Sequence, residues 1–195
     1  MKAFSRIRVL FRITHARRII RRYFVTNGFD GVLTMLGLLM GFHISQATDL
    51  MVAINACMGA AVALGMSGLS SAYISEAAER KRELRALEQA LLADLSESDY
   101  GRAARFVPVI VALVNGFAPF LLSLLIMTPL WMGHHGIQFP LPPLETSIAL
   151  ALLMIFLLGI FLGQISGTSW IWMGIKATML GLLTAGLILL TGMAS

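Results

Sequence analysis

The sequence predicts an all-α membrane protein of five transmembrane helices, with a cytosolic helical extension between helices two and three. Three observations carry this expectation. Hydrophobic residues make up 57% of the 195-residue chain and charged residues only 13%, where an ordinary soluble domain carries roughly 25% charged residues. The apolar residues fall into long blocks, and runs of about 18 or more with few charges are long enough to cross a bilayer. The basic residues are gathered in few places: eight of the fifteen lie between Lys2 and Arg22, six between Arg80 and Arg105, and the last is Lys176.

A net charge of +5 with a pI near 10.0 invites a nucleic-acid reading. The clustering argues for membrane topology instead, with positive charge held on one side. The bilayer is therefore an expected partner and nucleic acid is not. The lone Cys57 lies inside an apolar block, makes no intramolecular disulfide and reads as a small packing residue. No cleavable signal peptide is expected, because the first apolar run is span-length and lacks a clear cleavage site.

The elements follow in order. Residues 1–22 form a basic segment, either an interfacial helix on anionic lipid or a plain topogenic tail. Helix one is expected over 23–42 and helix two over 50–73, so residues 23–75 hold the first two spans. A charged cytosolic helix, 76–97, continues helix two within a segment 76–101. Residues 102–195 hold helices three (102–129), four (146–165) and five (170–191), with a tight turn at Gly167 and Thr168. The loops before helix two and before helix four contain no Lys or Arg and are expected outside. The amino terminus is expected in the cytosol of a multi-pass cell-membrane protein, and the carboxyl terminus outside. Lys176, little more than one turn into helix five, can snorkel to the cytosolic side.

Asp30 is the most informative residue. It lies about two turns inside helix one, where a carboxylate is costly unless it faces protein or water. Asn27, Asp30, Thr34, Gly37, Gly41 and Ser45 recur at helical spacing on one polar, small face. Gly37 and Gly41 form a Gly-x-x-x-Gly pair suited to close helix contact. Asp30 is thus expected to face a partner helix or a narrow path, the partner being open to include helix one of a second subunit. Helix two has a related stripe of Asn55, Gly59, Met66 and Tyr73. Met thioethers suit soft or borderline metals, although packing is the commoner use.

Glu76, Glu79 and Glu83 share one face of the charged helix, and Asp94 and Glu97 return to it if that helix is unbroken. Clustered carboxylates suit Mn²⁺ and Fe²⁺. The interspersed Arg80, Lys81, Arg82 and Arg85 suit an ordinary salt-bridged helix equally well. Helix three carries Pro108, Asn115 and Pro119 roughly on one face, a pattern of bent, path-lining helices and of structural prolines alike. Glycines of helices four and five read as packing faces. His134 and His135 lie in an outer loop, open to a metal-exit or a solvated reading. No zinc-type spacing, nucleotide loop or nucleophile triad is present, so no enzyme activity and no cofactor are expected.

Four stretches together resemble the vacuolar iron transporter family of divalent-metal exporters: RRYFVTNGFDGVLTMLGLLMGF, GMSGLSSAYISEAAERKREL, RAARFVPVIVALVNGFAPFLLSLL and LGIFLGQISGTSWIWMGIKATMLGLLTAGL. The resemblance covers most of the chain after Arg21. It implies a five-helix homodimer with a metal path along the subunit interface, lined by helix one. It also implies export of Fe²⁺, and often Mn²⁺, from the cytosol in exchange for protons. Asp30 matches the family's intramembrane aspartate, and Glu76, Glu79 and Glu83 approximately match the start of its glutamate-rich cytosolic region. That region is shorter here than in eukaryotic members. Their helix-two glutamate has no counterpart, Asn55 being the nearest polar residue, and Met66 is an offset match to their helix-two methionine.

The expected site therefore has Asp30 exchanging metal for a proton, because cation and proton compete for one carboxylate. Asn27, Thr34, Asn55, Met66 and Asn115 line the path. Glu76, Glu79 and Glu83 gather metal at its mouth, and Gly37 and Gly41 lie at the dimer interface. The metal is a substrate. Two other classes stay open: a membrane scaffold or lipid-interacting protein bound through its basic tail, and a membrane enzyme acting on lipid at the Glu76–Glu83 surface.

Overall fold

The computed structural model describes residues 16–46, 49–137 and 140–193. Those residues form five helices: α1 (Ala16–Ile44), α2 (Leu50–Leu91), α3 (Asp99–His134), α4 (Pro143–Ser166) and α5 (Trp170–Met193). There is no strand among them. All five helices are long and apolar enough to cross a membrane, so the predicted all-α architecture of five spans with a long charged extension on helix two is observed. The chain is a multi-pass membrane protein. Of the segment 1–22 on which an interfacial helix or a basic tail was expected, residues 1–15 lie outside the described residues and 16–22 belong to α1.

Several bounds differ from expectation for local reasons. Among the described residues helix α1 already runs from Ala16, ahead of the expected 23, because the arginines before the apolar block are good helix formers and no breaker intervenes. Helix α3 runs on through Trp131 to His134, so both histidines do not share one outer loop. The extension of α2 stops at Leu91 and does not reach 97. Leu92 takes a left-handed φ of 49°. The next polar groups then bind backbone: Asp94 Oδ1 accepts from Ser96 N at 2.8 Å, and Glu88 Oε1 accepts from Leu95 N at 3.1 Å. Such side-chain bonds compete with helix continuation. Ser98 then caps α3, its Oγ accepting from Gly101 N at 3.1 Å. Asp94 and Glu97 accordingly sit in a turn and not on the Glu76 face.

Caps set the other ends. Asp49 Oδ1 accepts from Met51 N at 2.8 Å at the start of α2. Pro142 and Pro143 open α4, where a missing N–H costs nothing. Gly167, φ 69°, closes it in the left-handed cap. The predicted turn at Gly167 and Thr168 is there.

The chain forms two compact units. Among the described residues, one comprises those up to Phe24 together with Gly65–Phe117; the other comprises those from Val25 to Leu64 and from Ala118 onward. In the first, Ala72 of α2 clusters with Ala103, Val107, Val111 and Ala112 of α3, flanked by Ile19, Ile20 and Tyr23 of α1. Small residues let α2 and α3 touch backbone to backbone: a Cβ on Gly116 would stand 2.6 Å from the Gly65 carbonyl oxygen.

In the second unit the core is Val32, Met35, Leu36 and Leu39 of α1, Cys57 of α2, Ile126, Met127 and Leu130 of α3, and Ile155 of α4. Helices α4 and α5 pack as a glycine-faced hairpin. A Cβ on Gly159 would meet the Met173 carbonyl oxygen at 2.7 Å, and one on Gly163 the Trp170 Cα at 2.7 Å. The reading of these glycines as packing faces holds. Large apolar side chains cover the outer faces of the helices, among them Val62, Phe117, Leu121, Leu157 and Leu190. Water would reject such faces, whereas a bilayer solvates them.

Candidate functional site

Helix α1 turns its apolar side inward and its polar stripe outward. Val32, Met35, Leu36 and Leu39 are completely buried. Asp30, Gly41 and Ser45 are exposed, and Asn27, Thr34 and Gly37 are half-buried. The contact that sets this rotation involves the residue next to Asp30. A Cβ on Gly31 would stand 2.7 Å from both Cα and Cβ of Pro119, so α1 lies directly on α3 there. Side chains of adjacent helical residues do not face the same way. With Gly31 pressed inward, Asp30 projects away from the core. Thr34 Oγ1 donates to the Asp30 carbonyl oxygen at 2.7 Å, which satisfies the hydroxyl within the helix.

The expectation that Asp30 faces a partner helix is thereby narrowed. Among the described residues Asp30 is exposed. Gly41 has nothing within 4 Å of its Cβ position, and Gly37 has only the tip of Ile188 at 3.7 Å. The Gly-x-x-x-Gly pair is open, not packed. The α2 stripe also faces outward: Asn55 and Gly59 are exposed, as are Met66 at 58% and Tyr73 at 48%. Asn115, expected along a path, is buried and donates from Nδ2 to the Gly68 carbonyl oxygen at 2.6 Å. It ties α3 to α2.

The three glutamates do not assemble as expected. Glu76 is buried at 8% exposure, Glu83 is half-buried and Glu79 is exposed. Arg80, itself 7% exposed, lies between the first two. Its guanidinium donates to Glu83 Oε2 at 2.7 Å and lies 3.6 Å from Glu76 Oε2. Tyr100 of α3 donates to the same Glu83 oxygen at 3.4 Å. The cation these two carboxylates hold is an arginine. Among the described residues, no three His, Cys, Asp or Glu side chains are grouped so as to hold a metal ion.

His134 and His135 meet edge to face, ring centroids 5.6 Å apart, at the exposed end of α3. The salt-bridged reading of this helix included Arg80, but sequence reasoning did not single out its network with Glu76, Glu83 and Tyr100. The signal was present in the spacing, since Arg80 stands four residues after Glu76 and three before Glu83. It also missed Gly31, although the glycine directly follows the key aspartate.

Fold and site together define a polytopic α-helical membrane protein whose one intramembrane carboxylate in α1 stands on an open, polar helix face. The chain is 30% identical over 158 residues to an uncharacterized protein of Methanocaldococcus jannaschii, a match covering 80% of this chain and 79% of that one. It belongs to the same family as that protein. No protein-family model matches the chain, and no solved structure matches it.

Proposed function

We propose that the chain is a homodimeric transporter that exports a divalent metal ion, Fe²⁺ or Mn²⁺, from the cytosol in exchange for protons. One observation carries the reading: Asp30 lies within a helix long and apolar enough to cross a membrane and is exposed among the described residues. A carboxylate facing lipid at that depth costs about 2.5–3.5 kcal/mol or more. A second copy laid against the same stripe of α1 removes that cost and encloses a polar path. The open Gly37 and Gly41 allow two such helices to approach closely.

Within that path Asp30 binds either the metal or a proton, and the competition couples the two flows. Asn27 and Thr34 flank it on the same stripe, and Asn55 offers a further oxygen donor from α2. The resemblance of the α1 sequence to the vacuolar iron transporters supports the same reading, with the amino terminus cytosolic, the carboxyl terminus outside and the cell membrane as location. The metal is cargo, and the reading involves no enzyme activity.

The test is uptake of Fe²⁺ and of Mn²⁺ into proteoliposomes under an imposed pH gradient, wild type against Asp30→Ala. Gradient-dependent uptake that the substitution abolishes is the expected result. Absence of uptake of either metal by folded protein inserted in both orientations would sink the exchanger and leave a scaffold or lipid-interacting protein as the reading.

A further inference from the structure

We propose that Arg21 and Arg22 of α1 and Arg102 of α3 form a headgroup site that binds the phosphate of an anionic phospholipid, in the leaflet on the amino-terminal side of the bilayer. The site does not rest on the transport reading above.

Helix packing brings these arginines onto one unit. Ile19, Ile20 and Tyr23 of α1 pack against the cluster that holds Ala103 and Val107 of α3. Arg21 and Arg22 lie between those α1 positions, and Arg102 directly precedes Ala103. The apolar neighbours turn inward, and all three arginines are exposed.

The protein itself does not neutralise them. Among the described residues, Arg80 pairs with Glu76 and Glu83, and Arg105 pairs with Glu97. Arg21, Arg22 and Arg102 have no carboxylate partner there. The segment before them cannot supply one, since the first acidic residue of the chain is Asp30. Arg22 instead lies over the Tyr23 ring, its Cζ 5.6 Å from the centroid. That contact engages the charge but no hydrogen-bond acceptor, so the N–H fork stays available to a ligand.

An apolar row fixes the level of the site. Phe106, Val109, Leu113 and Phe117 are exposed and recur at helical spacing on one face of α3. Arg102 stands four residues before Phe106, on the same face and about 6 Å beyond the row. Hydrocarbon solvates such a face, so Arg102 stands where the hydrocarbon ends and the lipid phosphates begin. A lipid, not a soluble acidic partner, meets both the row and the charge.

Guanidinium chemistry selects among lipids. Each guanidinium can offer two parallel N–H donors to two phosphate oxygens. A choline or ethanolamine headgroup brings a cation of its own, which three arginines repel. Phosphatidylglycerol brings none, and each basic residue near an anionic surface strengthens binding about fivefold.

The probe is radiolabelled phosphatidylglycerol in detergent micelles, retained by immobilised full-length protein, with labelled phosphatidylcholine as the zwitterionic control. Wild type is expected to bind phosphatidylglycerol at least about tenfold more tightly than phosphatidylcholine. Arg21→Gln, Arg22→Gln and Arg102→Gln combined should remove that preference. Lys81→Gln, Arg82→Gln and Arg85→Gln combined remove the same charge from exposed positions on the extension of α2 and should preserve it. Equal binding of both lipids by wild type overturns the proposal. So does a preference that survives the first set of substitutions, or one that the second set removes as fully. Should the first triple variant not fold, Arg102→Gln alone carries the test: about fivefold weaker phosphatidylglycerol binding is expected, and a folded variant with wild-type affinity overturns the site equally. Displacement of the lipid by inorganic phosphate at physiological concentration would make the ligand a soluble phosphate and overturn the lipid assignment.

Discussion

Gly31 rests on Pro119 so closely that a single methyl group at residue 31 would stand 2.7 Å from the proline Cα. The contact lies one residue from Asp30, and it decides that the carboxylate points away from the core of its unit. Glycine gives close approach, and the proline ring gives a surface without a competing N–H. A Gly31→Ala substitution must push α1 off α3, at a cost of about 1–3 kcal/mol for overpacking. Thermal unfolding in detergent should show a clear drop in Tm. Gly41→Ala, with nothing within 4 Å of its Cβ position, should leave Tm unchanged within error.

Asn115 joins α3 to α2 through a buried bond to the Gly68 carbonyl oxygen. Interhelical hydrogen bonds of this kind contribute about 0.6 kcal/mol on average in membranes, and up to about 1.7. Asn115→Ala should therefore destabilise the protein by about 1 kcal/mol, read as a lowered midpoint in a denaturant titration. A midpoint equal to wild type would show that the bond contributes nothing.

The open face of α1 makes a specific geometric prediction for the dimer. In a Cys57→Ala background, Gly37→Cys and Gly41→Cys should crosslink between copies under mild oxidation, and Leu183→Cys on the exposed side of α5 should not. Efficient crosslinking at 183 with none at 37 or 41 would move the interface to α5.

Asp94 gives a pH prediction. The Ser96 backbone N–H holds the Asp94 carboxyl below its ordinary value, helped by the Ser96 side chain. A lowered value in the folded state means the bond favours folding at neutral pH. That contribution is lost as pH falls below the ordinary carboxylate range and through the lowered value. A proton-detected titration of the Ser96 amide should track this loss, with the amide moving toward a random-coil shift only in that acidic window. An Asp94→Asn variant should show no such transition.

The five spans were legible because long apolar blocks separated by polar loops have few other solutions. The polar stripe on α1 was equally legible, since helical spacing alone collects Asn27, Asp30, Thr34, Gly37 and Gly41. What spacing does not reveal is which side of a membrane helix faces the core, because lipid and protein interior accept the same apolar residues. Asp30 therefore read as facing a partner, without showing that it is exposed among the described residues. Arg80 was hidden for a different reason. Its spacing to Glu76 and Glu83 is that of countless solvated helices, and spacing does not show that Glu76 and Arg80 are buried. The end of α2 was misjudged because a strong helix former, Leu92, takes the left-handed turn that glycine usually takes.

The hairpin of α4 and α5 is joined by only Gly167, Thr168 and Ser169, and its contacts, from Gly159 to Met173 and from Gly163 to Trp170, link residues close in sequence. Such contacts close small loops and incur little chain entropy. The last two spans thus carry their own instructions for pairing, and they can dock as a finished piece while the long first three helices are still finding one another.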